Sequence, residues 1–244
     1  MKVFPNKDGL LCIFSDITNI REKEKEERYY DKLKIIGEMA AGVAHEVRNP
    51  LTTVKGFLQI MSKDKSLVNY NTHVRLMIEE IDRVNNIIAE FLNLSKNKAR
   101  NVTESSMNQI ITSIYPLLET RALKEGKILK LELGNIVNIC VDQDEIRQLL
   151  LIMINNSLDA MEAGKSVLVK TYKEKDAVVL CIKDEGSGIP ENLIDDIPTP
   201  FVTGKESGTG LGLSICYSIA RKNNAKIDFD TSANGTTFNI RFSN

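Results

Sequence analysis

Apolar residues recur in steps of three and four through Ile36, Ala40, Val43, Val47, Leu51, Val54, Leu58 and Met61. That spacing, held over so many turns, predicts one long amphipathic helix. The polar stretch 63–71, rich in Lys, Asp, Ser and Asn, predicts a turn. A second stripe follows at Val74, Met77, Ile81, Val84, Ile88, Phe91 and Ser95. Two such helices joined by a short loop predict an antiparallel hairpin. A hairpin of two helices cannot cover its own apolar face. The pattern therefore predicts a homodimer in which two copies build a four-helix bundle. The charged run 21–27 ahead of the first stripe reads as a solvated helical linker.

Beyond residue 104 the pattern is mixed. It predicts a helix over 107–125, strands over 127–133 and 136–141, and a helix over 143–162 with Asp142 as its N-cap. Strands over 166–173 and 177–184 come next, then a Gly-rich stretch, 186–210, without clear periodicity. A helix over 210–223 and a hairpin of 226–231 with 236–242 close the chain. These elements predict an α/β two-layer sandwich with a mostly antiparallel sheet. The β-rich run 9–18 is too short to bury a core of its own. The expected division is 1–20, 21–103 and 104–244.

The 244 residues carry 42% apolar and 27% charged side chains, ordinary for a globular protein. Lys plus Arg is 32 and Asp plus Glu is 33, so the formal net charge is 32 − 33 = −1. That balance speaks against nucleic acid as a partner. No apolar run approaches the roughly 18 residues of a membrane span, so any membrane tie would come from segments upstream. No signal peptide is expected at the start. Cys12, Cys140, Cys181 and Cys216 are far apart and form no CxxC pair, which fits a cytoplasmic setting.

His45 lies in Ala40-Ala-Gly-Val-Ala-His-Glu-Val-Arg-Asn-Pro50. At about 100° per residue it sits about 200° from both Val43 and Val47, on the face turned away from the apolar stripe. Arg48, Asn49 and Thr52 share that face. Pro50 breaks the helical hydrogen-bond ladder and predicts a bend. An imidazole that attacks phosphorus needs a free lone pair and a carboxylate to orient it and take its proton, and Glu46 is adjacent. A zinc-protease HExxH is ruled out because residue 49 is Asn.

The stretch Gly37-Glu-Met-Ala-Ala-Gly-Val-Ala-His-Glu-Val-Arg-Asn-Pro-Leu-Thr-Thr-Val-Lys-Gly-Phe57 resembles the phosphoacceptor box of sensor histidine kinases. The resemblance implies that His45 is phosphorylated and that Glu46 is the general base. It also ties Asn49 to dephosphorylation of the partner. His73 matches no motif and reads as a surface residue.

Two glycine-rich segments carry the second chemistry. Asp184-Glu-Gly-Ser-Gly-Ile-Pro190 follows a predicted strand, and Gly208-Thr-Gly-Leu-Gly-Leu213 opens a predicted helix. Glycines let a backbone approach a ligand closely, and amides at a helix N-terminus attract phosphate. A carboxylate at a strand end can accept from a purine amino group. Neither a Walker loop nor a dinucleotide fingerprint is present. On the helix 143–162, Asn156 and Asp159 share a face, and their oxygens are the kind Mg²⁺ prefers.

In this order, the three elements resemble the ATP-binding domain shared by histidine kinases, gyrase, the Hsp90 chaperones and MutL. The resemblance implies an α/β sandwich of that type with ATP and Mg²⁺ as cofactors. It makes Asp184 the adenine contact, with Gly186 and Gly188 shaping the pocket and Asn156 holding the metal. Gly208, Thr209, Gly210, Leu211 and Gly212 would hinge a lid and cradle phosphates. Pro200-Phe-Val-Thr-Gly-Lys205 resembles the lid, with Phe201 as its anchor and Lys205 at the terminal phosphate. Gly235-Thr-Thr resembles the family's final glycine turn. One departure is Ile152, where the family's box usually carries a second asparagine. The run ending Ser15-Asp-Ile-Thr-Asn19 looks like the end of a PAS sensor domain. The closest subgroup resembles sporulation and NtrB-like kinases. Autophosphorylation on His45 and transfer to an aspartate of a response-regulator receiver are the implied function. A non-catalytic nucleotide-binding scaffold is the alternative. A plain ATPase is a third reading, against which the helical hairpin speaks.

Overall fold

The computed structural model describes residues 2–6, 9–13, 47, 49–62, 70–95, 101–204 and 208–243. The N-terminal run forms a small hairpin of β1 (Lys2–Asn6) and β2 (Gly9–Ile13), in register Lys2 with Ile13 and Asn6 with Gly9.

Two helices follow, α1 (49–61) and α2 (Asn71–Ser95). Leu58, Val74 and Ile81 are buried between them, with Leu51 and Ile78 packed alongside. Lys55 on α1 pairs with Asp82 on α2 and fixes their mutual register. The two predicted stripes are thus present, but the hairpin covers only part of each. Val54 is 48% exposed and Met77 51%, because a pair of helices buries one edge of a stripe and leaves the other open. Positions 36, 40 and 43 of the first stripe lie outside the described residues. No helix among the described residues is long and apolar enough to cross a membrane.

The rest of the chain is a two-layer α/β unit. Its sheet has the order β4-β6-β7-β9-β8, formed by β4 (Ile128–Leu133), β6 (Ser166–Glu174), β7 (Ala177–Asp184), β9 (Gly235–Ser243) and β8 (Ala225–Ser232). β4 runs parallel to β6, and every other neighbouring pair is antiparallel. The helices α3 (Met107–Lys124), α4 (Gln143–Asp159) and α5 (Gly212–Lys222) share one core with it. That core holds Ile146, Leu149, Leu150, Met153 and Leu158 of α4 against Val178, Leu180 and Ile182 of β7. Burying so much apolar area is what holds the layers together, at about 25 cal/mol per Å².

Local chemistry sets the ends of α4. Asp142 Oδ1 accepts from the amides of Asp144 and Glu145 at 3.0 and 3.2 Å, the expected N-cap. Asn223, 4% exposed, accepts from the Asp142 amide and donates to Glu145, tying the end of α5 to the start of α4.

Two features differ from the sequence expectation. The strand at Ile139–Asp142, β5, is not part of the main sheet. It pairs antiparallel with β3 (Val102–Ser105), an element the pattern did not predict. A four-residue Val-Thr-Glu-Ser run carries too little alternation to be read, and its partner lies far along the chain. Inside the Gly-rich stretch a 3-10 helix spans Glu191–Asp196.

Candidate functional site

Alternation along β7 decides where the key carboxylate points. Val178, Leu180 and Ile182 face the helices, so Asp184, two residues further, faces inward as well and is 4% exposed. Its Oδ1 accepts from the amides of Gly186 at 2.9 Å and Thr236 at 3.1 Å. Its Oδ2 accepts from the Ser157 hydroxyl at 3.2 Å. Three donors satisfy much of a buried acid that would otherwise be costly to keep there. Beside it, the Ser166 amide donates to Glu185 at 2.8 Å and holds that carboxyl below its usual range.

The turn after β7 closes tightly around this acid. A Cβ on Gly186 would lie 2.8 Å from Asp184 Oδ1 and 2.9 Å from the Ala160 carbonyl. Gly188 has φ +74, and a Cβ there would reach 2.0 Å from the Ser232 carbonyl. Only glycine fits either place. Thr231 Oγ1 accepts from the Ile189 amide at 2.8 Å and shares a hydrogen bond with Thr236, so β8 and β9 together hold the turn.

The second half of the site is the start of α5. Its N-cap position is Leu211, which makes no side-chain cap. The first amides of a helix have no intrahelical partner and attract anions. Gly212 lies against α4, where a Cβ would come within 3.0 Å of Ile152 and 3.4 Å of Asn156 Nδ2. Asn156 and this helix start therefore adjoin, with the Ile152 methyl as an apolar wall. The preceding loop folds back on itself. The Phe201 amide donates to the Gly210 carbonyl at 3.0 Å, and Gly210, at φ +66, leaves no room for a Cβ against Phe201. Phe201 has φ +67 and is 56% exposed. Thr209 Oγ1 accepts from the Leu211 amide at 3.2 Å.

Asp184, Gly186 and Gly188 gather at the end of the central strand β7, and Asn156, Gly210 and Gly212 gather at the start of α5. Gly208 lies in the described part of the loop before them. Two of the predicted residues have their side chains engaged by other parts of the fold. The Leu211 side chain is 0% exposed and belongs to the core, so only its backbone takes part in the glycine turn. The Asp159 carboxylate pairs with Arg121 on α3, where Arg121 also holds Glu125. Lys127 and then Arg121 keep Glu125 below its usual range. Asn49 sits exposed on the same helical stretch as α1, its carbonyl accepting from Thr53 at 3.2 Å. His45, Glu46 and Lys205 lie outside the described residues. Sequence reasoning missed Ser157, and its only signal was a small polar residue on the buried face of a helix.

Comparison with known proteins matches this arrangement. Residues 35–100 fit the model for the His Kinase A (phospho-acceptor) domain. Residues 141–244 fit the histidine kinase-, DNA gyrase B- and HSP90-like ATPase. Sporulation kinase C of Bacillus subtilis is 33% identical over 95% of this chain, and sporulation kinase A 35% identical over 98%. The chain spans only 56% and 40% of those two relatives. A solved structure of histidine kinase ThkA in complex with response regulator protein TrrA is 28% identical, with a TM-score of 0.65, over 99% of this chain and 73% of that one. The phosphoacceptor match precedes the ATPase match, and they fall on the helical hairpin and the α/β unit in turn: the chain belongs to the sensor histidine kinases of the sporulation-kinase type.

Proposed function

We propose that this chain is an ATP-dependent protein-histidine kinase that phosphorylates itself on His45. It then passes the phosphoryl group to an aspartate of a response-regulator receiver. The observation that carries the nucleotide half is the Asp184 carboxylate, buried at the end of β7 with three chain donors on it. An ionised carboxylate accepts about four hydrogen bonds, which leaves room for one from a purine amine. The fit to the His Kinase A domain supports the acceptor half, and the ThkA complex supports the partner class.

Each residue then has a task. Gly186 and Gly188 let the turn close over the base. The open amides at the start of α5, with Gly208, Gly210 and Gly212, cradle the phosphates. Thr209 braces that turn through its bond to the Leu211 amide. Phe201 anchors the lid, and Lys205 meets the terminal phosphate. The donor set suits Mg²⁺, since Asn156 offers an amide oxygen beside the glycine cradle. When bound, Mg²⁺ neutralises charge on the phosphates. The His45 imidazole forms a bond to the γ-phosphorus as the bond to ADP breaks, and Glu46 takes the imidazole proton. Positioning and charge neutralisation supply most of the acceleration. Asn49, four residues after His45, serves the return of the regulator to its unphosphorylated state.

Residues 1–20 are read as the end of a PAS domain, 21–103 as the dimerisation and phosphotransfer unit, and 104–244 as the catalytic unit. The exposed Val54, Met61 and Met77 give a second copy its docking stripe. A cytoplasmic setting fits the four widely spaced cysteines, none of them in a CxxC pair.

Incubating the chain with Mg²⁺ and γ-labelled ATP tests the reading. Protein-bound label that is lost in acid and kept in base is expected for phosphohistidine. A chain that binds ATP yet takes no label would favour a nucleotide-binding scaffold, the reading that the apolar Ile152 beside Asn156 supports. Ile152→Asn supplies a second amide oxygen one turn before Asn156. It is expected to lower the Mg²⁺ concentration needed for half-maximal nucleotide binding about tenfold, from one added oxygen ligand. A Mg²⁺ titration of nucleotide affinity checks it.

A further inference from the structure

Ser157 lies on the core face of α4, 3% exposed, one residue after Asn156. A serine inside a helix ordinarily returns its hydroxyl to a carbonyl one turn back. Ser157 instead donates across 27 residues to Asp184 Oδ2 at 3.2 Å. The two amide bonds, from Gly186 and Thr236, both fall on Oδ1. Two bonds to one oxygen restrain rotation of the carboxylate about Cβ–Cγ from one side only. The bond to the other oxygen adds a restraint from the opposite side and occupies one of the two lone pairs on Oδ2. It also fixes the sign of the site, because all three chain groups that reach the acid are donors. One acceptor direction remains on Oδ2, held at a set angle in a buried place.

We infer that Ser157 is a positioning residue for base recognition, which aims Oδ2 so that the site prefers a purine with an amino group at C6 over one with a carbonyl. This rests on the nucleotide reading above. An amine donates to the aimed oxygen. A 6-oxo purine sets a second acceptor against it, so neither its binding nor its geometry draws on the Ser157 bond. A carboxylate that must be oriented on binding loses affinity for the ligand that needs it oriented, and only for that ligand.

The test uses the whole chain, with calorimetric titration of ATP and of inosine triphosphate. Ser157→Ala is expected to weaken ATP about tenfold, the scale of one hydrogen bond to a charged group. Its affinity for inosine triphosphate should stay within about twofold on the same scale, so the preference narrows. Ser157→Thr keeps the hydroxyl and is expected to retain the native preference. If threonine's methyl prevents folding in so buried a place, the alanine comparison stands alone. Equal weakening of both nucleotides by Ser157→Ala would make Ser157 a packing residue and overturn the inference, as would no change in either. A native chain that binds neither nucleotide would overturn the nucleotide reading itself, a result separate from both.

Discussion

Asp184→Asn is expected to lose nucleotide binding and phosphate labelling together, whereas His45→Ala is expected to bind nucleotide normally and lose the label alone. The asparagine keeps one carbonyl oxygen, which can go on accepting from Gly186 and Thr236. Its amino group then stands where Oδ2 stood. The Ser157 hydroxyl can rotate and accept from it, so the fold is expected to survive with little change in Tm. A purine amine meets a donor instead of an acceptor, and the charge that strengthened the contact is gone. Losing a charge-assisted bond and creating an unpaired pair of donors costs about 3 kcal/mol, on the order of a hundredfold in affinity. Calorimetric titration of ATP reads the loss directly. His45 is remote in sequence from every group that touches Asp184, and its removal takes away only the phosphoryl acceptor. Retained ATP affinity in Asp184→Asn would remove that carboxylate from base recognition. Label retained in His45→Ala would move the acceptor elsewhere.

Much of this site was legible because its chemistry obeys local rules. The strand Ala177–Asp184 could be read from its apolar run, and the carboxylate at its end stood out as a hydrogen-bond acceptor. Asp142 announced the start of α4 by capping it. The glycines at 186, 188, 210 and 212 stood out because few other reasons gather glycine so closely. The features that escaped reading depend on contacts between distant segments. The pairing of Val102–Ser105 with Ile139–Asp142 leaves no local period. Asp159 looked like a cation ligand because the helical period puts it near Asn156. That period cannot show Arg121 waiting on a neighbouring helix. The flanking glycines could not show that the Leu211 side chain is claimed by the core while its backbone stays in the turn. Ser157 was invisible for the same reason in reverse, since the acid that explains its burial lies on β7.

Gly235→Ala is expected to destabilise the catalytic unit and blunt its nucleotide affinity in one step. Gly235 has φ +132, a conformation that L side chains rarely adopt. Its Cβ would stand 2.0 Å from the Asp184 carbonyl oxygen and 2.9 Å from the carbonyl carbon. Both are backbone atoms at the end of a central strand, so neither can swing aside as a flexible side chain would. The turn must open or the strand must shift. The combined strain and clash should cost more than about 3 kcal/mol, or roughly 10 °C in Tm. Gly164→Ala separates the two contributions. Gly164 also has a positive φ, +89, but a Cβ there meets nothing within 4 Å. Its expected cost is about 1 kcal/mol of backbone strain, with ATP affinity unchanged. Gly235 differs in its neighbour, because the amide of Thr236 is one of the two that hold Asp184 Oδ1. A shift that relieves the clash therefore pulls a donor off the acid, and affinity falls with stability. Thermal unfolding measured by circular dichroism, with ATP titration of both variants below their Tm, checks the pair. Loss of stability in Gly235→Ala with native ATP affinity would mean that the turn tightens the fold without aiming the carboxylate.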